Sequence, residues 1–195
     1  MTRGLLIVDV QNDFTEGGAL ACEGGTSIAV EISAFVGAER ESYAVVVASR
    51  DWHDPESDNG GHFSDTPDWV NSWPVHCVAN TIGAEYHRAL DVSHVDVHVL
   101  KGQGVPAYSA FDGRTDDGRT IPDVFAAHEV DAVDIVGIAT DYCVRATALD
   151  AIAAGFSVTV KANLCVGVNP ATSIAALAEL AAAGVKIMIS DRVAS

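Results

Sequence analysis

Short runs of β-branched and other apolar residues alternate along the chain with alanine-rich stretches of helical periodicity. Several of these runs are apolar at nearly every position, which is typical of parallel strands covered on both faces. They predict strands at residues 5–10, 44–49, 95–100, 133–138, 157–160 and 185–189. The alternation of strands and helices predicts an α/β fold, a doubly wound and mostly parallel sheet in a three-layer α/β/α arrangement.

The stretches between these strands carry three helical patterns. The first places four apolar side chains on one helix face, namely Ile28, Ile32, Phe35 and Val36. A second helix is predicted from about Asp141 to Ala154, with Gly155 as its stop. The third begins at the capping pair Asn169 and Pro170 and ends at Gly184. Its expected apolar side consists of Ile174, Leu177, Ala178 and Ala181.

One long region has no periodicity. From Asp51 to about Tyr86 the chain contains Pro, Gly, Asn, Ser and all three tryptophans. A loop of this length in a compact domain is usually functional. No linker or internal repeat interrupts the chain, so we predict a single domain over residues 1–195 with a loop insertion at about 51–86.

Composition narrows the class of protein and its partners. Hydrophobic residues make up 49% of the 195 residues and charged residues 19%, enough to bury a full core. The 27 acidic residues against 11 basic ones give a formal net charge of −16. Such a field repels phosphate backbones and anionic lipids, so we expect neither nucleic acid nor a membrane as a partner. The acidity is also compatible with a salt-rich cytoplasm.

The apolar segments and the cysteines bear on location. The start of the chain lacks the features of a signal peptide, and no apolar run reaches the roughly 20 residues of a membrane span. Four widely spaced cysteines without a CxxC pair are typical of free thiols in a reducing compartment. We therefore expect a cytoplasmic protein. A homo-oligomer is compatible with the sequence, which does not determine the oligomeric state.

Two strand ends carry charged residues. Asp9 lies at the end of the first predicted strand, and Lys101 directly follows the third. The carboxyl ends of the strands form the ligand crevice of a doubly wound sheet, so both side chains are candidates for chemistry there. Taken alone, a turn-capping aspartate and a solvated lysine are the more common interpretations.

Cys143 follows the fourth predicted strand and lies at the start of the second predicted helix. The helix dipole lowers the pKa of a thiol in the first turn and favours the nucleophilic thiolate. Backbone N–H groups of the same turn are suited to binding an oxyanion. The alternative is a buried structural cysteine, which is how we interpret Cys22, Cys77 and Cys165.

The long loop contains a candidate metal site. Asp51 and His53 are two residues apart at a strand end, and His62 and His76 lie further along the loop. One carboxylate with up to three imidazoles suits Zn, Fe or Mn and is too rich in nitrogen for Ca or Mg. The loop therefore predicts a site for a transition metal.

Several motifs occur in order over essentially the whole chain. They are IVDVQNDF followed by EGG, RDWH, GHFS, SWPVHC, the KG pair at Lys101 and Gly102, and GIATDYCV. On these motifs the chain resembles the nicotinamidase/pyrazinamidase family of the isochorismatase-like cysteine hydrolases. The resemblance implies the isochorismatase-like hydrolase fold.

The resemblance also implies roles for individual residues. The implied catalytic triad is Asp9, Lys101 and Cys143. One divalent transition metal ion (Zn, Fe or Mn) is expected on Asp51, His53, His62 and His76, with Asp58 as the alternative to His62. The backbone N–H groups of Ala139 and Cys143 would form the oxyanion hole, beside a cis peptide bond between Ile138 and Ala139. The expected substrate-binding residues are Phe14, Trp73, Tyr108, Ile138 and Tyr142.

The implied activity is metal-dependent hydrolysis of nicotinamide to nicotinate and ammonia through a cysteine thioester, with pyrazinamide as a second expected substrate. The resemblance also implies a role in NAD salvage. An alternative is another cysteine amidase or isochorismatase-like hydrolase acting on a different amide, a ureide or a vinyl ether. A metal-binding or redox-sensing module without turnover would need a spoiled triad, whereas Asp9, Lys101 and Cys143 are all present.

Overall fold

The computed structural model describes residues 1–189, which contain a six-stranded sheet. The strands are β1 (Arg3–Val8), β2 (Val45–Asp51), β3 (Val97–Lys101), β4 (Ala132–Ile138), β5 (Ser157–Val166) and β6 (Lys186–Met188). Their order is β3-β2-β1-β4-β5-β6, and every strand pairing in the described residues is parallel. The predicted α/β class is confirmed. The order reverses between β1 and β4, and ligands bind at such a point in doubly wound sheets.

Helices lie on both faces of the sheet. They are α1 (Gly25–Glu39), α2 (Ile121–Ala127), α3 (Arg145–Ala153) and α4 (Pro170–Ala182). Short 3₁₀ turns occupy Asn12–Phe14, Arg40–Ser42, Ile82–Ala84, Val92–His94 and Ala110–Asp112. Helix α1 packs with Leu5 and Ile7 of β1, whereas α2, α3 and α4 pack with Leu6 and Val8 on the other face. Alternate residues of β1 thus enter opposite cores, as the pleat of a strand requires.

The predicted apolar side of α4 is mostly wrong, because only Leu177 of its four residues packs, half-buried, against the core. Ile174 is 70% exposed, and the residues of α4 that are buried are Ala176 and Leu180. The buried stripe is therefore turned around the helix axis from the predicted one. In an alanine-rich helix several faces have similar apolar character, so packing against the sheet selects the face.

The carboxyl ends of β1 and β4 depart from regular strand geometry. Strand β1 ends at Val8, two residues earlier than predicted, because Asp9 adopts a left-handed backbone with φ of 49°. Gly137 in β4 has φ of 126°, and a Cβ atom there would lie 2.1 Å from the carbonyl oxygen of Val8. Only glycine allows this close approach of the two strands. One residue further along the chain, the peptide bond between Ile138 and Ala139 is cis.

The region between β2 and β3 is irregular, as predicted, and is held by isolated backbone bridges. His53 pairs with Val78, Phe63 with Trp73, and Tyr86 with Gln11. These bridges fold the loop back onto the carboxyl edge of the sheet. No helix within residues 1–189 has the length and apolar character needed to cross a membrane.

Candidate active site

Four strands bring chemically active side chains to the carboxyl edge of the sheet. Asp9 follows β1, Asp51 ends β2, Lys101 ends β3, and Cys143 follows β4. Asp51 and Lys101 face each other in register across the β2–β3 pair. All four side chains are buried. The parallel sheet thus places residues that are far apart in sequence at one point.

Lys101 lies at the centre of this group. Its ammonium nitrogen is 2.9 Å from Asp9 Oδ2, 3.2 Å from the carbonyl oxygen of Ala107 and 3.7 Å from Cys143 Sγ. It also donates a hydrogen bond to Asp51 Oδ1. Burial lowers the pKa of Lys101, but the carboxylates of Asp51 and Asp9 outweigh burial and raise this pKa well above its ordinary value. Lys101 is therefore a permanent cation.

The two carboxylates beside Lys101 differ in their affinity for a proton. Burial raises the pKa of Asp9, and the Lys101 ammonium only partly opposes this. Burial also acts on Asp51, but there Lys101 and the neighbouring histidines prevail and lower the pKa. Neighbouring groups with pKa values shifted in opposite directions are typical of acid–base pairs in active sites. Asp9 is the carboxylate better suited to accept a proton.

Cys143 lies in a single π-helical turn, Thr140–Val144, that precedes α3, and not in the first turn of an α-helix as predicted. Its thiol pKa is raised well above the ordinary value because burial outweighs the attraction of Lys101. The expected lowering by the helix dipole is therefore wrong for this setting. A thiol of this kind is protonated at rest and needs a base before it can act as a nucleophile.

Three buried histidines lie next to this group. Ligand nitrogen atoms of His53, His62 and His76 are all within 4.8 Å of one another. Backbone hydrogen bonds bring them together, from His53 to the Cys77 carbonyl at 2.9 Å and from Trp73 to the His62 carbonyl at 2.8 Å. Asp58, the alternative to His62, is exposed and is not part of this group.

The hydrogen bonds of the rings define which nitrogen atoms are available. Nδ1 of His53 lies 2.9 Å from the Gly102 carbonyl, and Nδ1 of His76 lies 2.7 Å from the Pro74 carbonyl. A carbonyl can only accept, so both Nδ1 atoms carry the proton and both Nε2 atoms keep a lone pair. Within residues 1–189, His53 Nε2 and His62 Nδ1 are buried without a hydrogen-bond partner.

These histidines have the properties of metal ligands. Burial lowers the pKa of His62 to about 4 and lowers those of His53 and His76, so the rings are neutral. Asp51 Oδ2 lies 3.8 Å from His53 Nε2 and 4.0 Å from His76 Nε2. Unpartnered imidazole nitrogens beside a carboxylate form a donor set that fits a divalent transition metal. The chemistry of these residues therefore fits such an ion, and the ligand set of Asp51, His53, His62 and His76 stays a prediction.

Gly102 of the KG pair has a steric role at this site. Its φ is 80°, and a Cβ atom would lie 2.6 Å from the His53 ring. Any side chain would displace the His53 ring, whose Nδ1–H donates to the Gly102 carbonyl. The glycine therefore permits the contact between the end of β3 and the histidines.

A cavity opens between Cys143 on one side and His62 and His76 on the other. Its remaining lining includes predicted residues, Phe14, Trp73, Tyr108, Ala139 and Tyr142, and unpredicted ones, Leu20, Cys22, Ala107 and Val168. Ile138 does not line the cavity, because its side chain is buried in the core beneath α1. Aromatic and imidazole rings thus make up about half of the cavity wall, and the Cys143 sulfur, the imidazoles and the Asp51 carboxylate are among its polar groups.

The aromatic wall of this cavity is internally bonded. Trp73 Nε1–H donates to Tyr108 Oη at 2.9 Å, and that hydroxyl donates to the Val70 carbonyl at 2.9 Å. Trp73 also contacts the Tyr142 ring edge-on, with centroids 5.0 Å apart. These contacts connect the loop that carries His62 to the turn that carries Cys143.

Two supporting residues beside the carboxylates were not identified from the sequence. The buried amide of Gln11 donates to the Asp51 carbonyl at 2.8 Å and accepts from the Asp51 N–H at 2.8 Å, which fixes the end of β2. Ser49 Oγ–H donates to Asp9 Oδ1 at 2.7 Å. Ser49 and Asp51 are two residues apart and so lie on the same face of β2, which is otherwise apolar. This spacing is the feature of the sequence that could have identified Ser49.

Asn59 supports the histidine loop. It is fully buried, and its Oδ1 accepts from the N–H groups of Asp54 at 2.8 Å and Gly104 at 3.0 Å. Its amide donates to the carbonyls of Asp54 and Ser57 at 3.1 and 3.2 Å. Asn59 thereby joins the loop before His62 to the segment after β3. Nothing in the aperiodic sequence of this loop distinguishes this asparagine from a solvated one.

The parallel α/β sheet carries a buried cysteine, lysine and aspartate at its carboxyl edge, and with this fold the protein is a hydrolase of the isochorismatase-like class. Residues 3–192 match the family model of the isochorismatase domain, and the chain belongs to this family.

Similar proteins are known in sequence and in structure. The nicotinamidase/pyrazinamidase of Mycobacterium tuberculosis is 46% identical over 189 residues, which cover 97% of this chain and 100% of the relative. The pyrazinamidase of Pyrococcus horikoshii, in complex with zinc, has a TM-score of 0.84 at 36% identity and covers 97% of this chain and 100% of its own. A protein from L. infantum in complex with nicotinate has a TM-score of 0.81 at 32% identity, with coverages of 96% and 92%.

Proposed function

We propose that this protein hydrolyses nicotinamide to nicotinate and ammonia, with Cys143 as the nucleophile. One observation carries the proposal: Cys143 borders the ring-lined cavity, and its sulfur lies 3.7 Å from Lys101, which also contacts Asp9. A thiol, a base and a cation in contact are the groups that acyl transfer requires. The similarity to a nicotinamidase/pyrazinamidase and to a structure in complex with nicotinate supports this substrate.

In the first half-reaction Asp9 accepts the thiol proton of Cys143, while Lys101 stabilises the negative charge on both groups. The thiolate attacks the carboxamide carbon, and the N–H groups of Ala139 and Cys143 bind the oxyanion. The C–N bond breaks, and Asp9 donates its proton to the departing ammonia. The acyl group remains on Cys143 as a thioester.

In the second half-reaction Asp9, again a carboxylate, accepts a proton from a water molecule that attacks the thioester carbon. The C–S bond breaks, and Asp9 returns the proton it took from water to the sulfur. The acid product loses its proton to solvent and leaves as nicotinate. Lys101 keeps its charge while Asp9 is protonated, because Asp51 remains a carboxylate beside it and holds the pKa of Lys101 high. Its role is to hold Asp9 and the sulfur in register.

Asp51, His53, His62 and His76 would hold one divalent transition metal ion, either Zn, Fe or Mn. Bound there, the ion would supply a Lewis acid for the pyridine nitrogen of the substrate and so orient its ring. Phe14, Trp73, Tyr108 and Tyr142 would bind the ring faces and edges. Pyrazinamide has the same carboxamide and a nitrogen at the corresponding ring position, so we expect it to be a second substrate.

The test is ammonia release from nicotinamide by the purified protein, before and after chelation and with metal added back. We expect release that stops on chelation, returns with the metal, and is absent in the Cys143→Ala variant. Release by that variant at near wild-type rates would exclude Cys143 as the nucleophile. If the folded, metal-loaded protein leaves nicotinamide intact but hydrolyses another amide, that amide replaces nicotinamide as the proposed substrate.

Two broader predictions accompany this function. We expect a single domain over residues 1–195. This is consistent with one sheet that contains both the first and the last strand of the described residues. We also expect a cytoplasmic location, which is consistent with free thiols at Cys22, Cys77, Cys143 and Cys165. Fractionation of the source cells would test the location.

A further inference from the structure

Ser49 is a fully buried polar residue in the middle of the apolar strand β2. Its hydroxyl donates a hydrogen bond of 2.7 Å to Asp9 Oδ1. The other carboxylate oxygen, Asp9 Oδ2, lies 2.9 Å from the ammonium of Lys101. The two oxygens of Asp9 thus have different partners, a hydroxyl on one side and a cation on the other.

Asp9 needs such a restraint. It lies beyond the end of β1 with φ of 49°, so the pleat of the strand does not orient its side chain. Lys101 does not orient Asp9 by a hydrogen bond, because its three N–H donors go to Asp51, the Ala107 carbonyl and the Cys143 sulfur. Asp9 Oδ2 makes only the ion pair with the Lys101 ammonium. Ser49 supplies the missing donor.

We infer that Ser49 is a positioning residue, which holds Asp9 so that Oδ2 faces Lys101 and the sulfur of Cys143. A carboxylate oxygen of Asp9 and Cys143 Sγ lie within 4.8 Å of each other, so a small rotation of the carboxylate changes the path of the proton between them. Ser49 itself does not line the cavity. Its effect is therefore on proton transfer and not on substrate binding.

The kinetic consequence rests on the proposed function. In a Ser49→Ala variant, Asp9 Oδ1 loses its hydroxyl donor, and the carboxylate is free to turn away from Cys143. We expect kcat for nicotinamide to fall about 10- to 100-fold, since misplacing a general base removes much of its contribution. KM should stay within about twofold of the wild-type value, because no residue of the cavity wall has changed.

A second readout does not require the substrate. The rate at which iodoacetamide alkylates Cys143, followed by peptide mass spectrometry to separate it from the other three cysteines, reports deprotonation of this thiol. We expect about tenfold slower alkylation in Ser49→Ala. The conservative Ser49→Thr variant retains the hydroxyl and should restore both kcat and alkylation to within about twofold of wild type.

Ser33→Ala is the matched control, because its half-buried hydroxyl bonds the Ala89 carbonyl at 2.8 Å, away from the site. It should lower the melting temperature without changing kcat or the alkylation rate. Unchanged or faster alkylation in Ser49→Ala, or a Thr variant as slow as the Ala variant, would overturn the inference. Wild-type protein that is alkylated at Cys143 but releases no ammonia would contradict the proposed substrate and leave the Ser49 comparison intact.

Discussion

The protein buries ionic clusters at both ends of the same sheet. The carboxyl-edge cluster consists of Asp9, Asp51 and Lys101. The amino-edge cluster is centred on Asp134, which lies near the start of β4 and contacts Arg3, Tyr43 and Lys161. Both clusters pair aspartate with lysine, and Asp9 and Asp134 are both at most 1% exposed.

The ratio of donors to acceptors separates the two clusters. Asp134 receives Arg3 at 2.5 Å, the Tyr43 hydroxyl at 2.7 Å and Lys161 at 3.1 Å, so its carboxylate is fully satisfied. In the carboxyl-edge cluster one ammonium serves two carboxylates beside a thiol. At the carboxyl edge the surplus of negative charge favours the uptake of a proton by Asp9. Burial alone therefore does not mark a catalytic carboxylate.

The largest effect is expected from Lys101→Met, which leaves two buried carboxylates without their cation. Activity should fall at least about 1,000-fold, and the free energy of unfolding should fall by about 3 kcal/mol. Ammonia release and urea unfolding measure the two effects. Lys161→Met is the matched control in the amino-edge cluster, and it should retain kcat/KM within about twofold. An inactive Lys161 variant, or an active Lys101 variant, would remove the distinction between the clusters.

Asp134→Asn should affect stability alone. Replacing the carboxylate leaves the buried ammonium of Lys161 without its counter-charge, so we expect the free energy of unfolding to fall by about 2 to 3 kcal/mol. Because this cluster lies at the opposite end of β4 from Cys143, kcat and KM should stay near wild type. Urea unfolding and steady-state kinetics on the same preparation test this. A large loss of kcat in a folded variant would show that the two ends are coupled.

The smallest effect is expected from Tyr43→Phe, which removes one donor to Asp134. Stability at pH 7 should fall by about 1 kcal/mol. Burial and the neighbouring carboxylate raise the pKa of Tyr43 above its ordinary value of 10.0. The unfolded chain therefore releases this proton at lower pH than the folded protein, and the stability contributed by Tyr43 is lost as pH rises above 10.

Phenylalanine has no such proton, so the stability difference between wild type and Tyr43→Phe should shrink above pH 10. Urea unfolding at pH 7 and at several values above pH 10 measures the difference. Other titrating groups are common to both proteins and cancel in the comparison. A difference that stays constant or widens with pH would contradict the assigned cause of the pKa shift.

Much of this architecture could be predicted because its signals are local. Continuous apolar runs indicated buried parallel strands. Because the carboxyl ends of parallel strands meet at one edge of the sheet, Asp9, Lys101 and Cys143 were expected near one another. The apolar side of α4 could not be predicted, because alanine has little preference between faces and packing selected Ala176 and Leu180. The extra residues 161–166 of β5 were also missed, since polar residues interrupt the apolar pattern there.

The histidine loop shows the limit of local signals. Its residue types predicted a transition-metal site, but long-range backbone bonds, such as that between His53 and Cys77, decide which side chains converge. Those bonds bring His62 into the group and leave Asp58 exposed. Asn59 could not be identified from the sequence, because its supporting role depends on a hydrogen bond from Gly104, a residue that only the fold brings near.

The sequence by itself determined the alternation of strands and helices, the family resemblance and the residue types available at the strand ends. Only the tertiary structure decided the proton affinities, because burial and neighbouring charges act through space. It raised the pKa of Cys143 where helix position alone predicted a lower one. It also gave Asp9 and Asp51, two strand-end aspartates that contact the same lysine, pKa shifts in opposite directions.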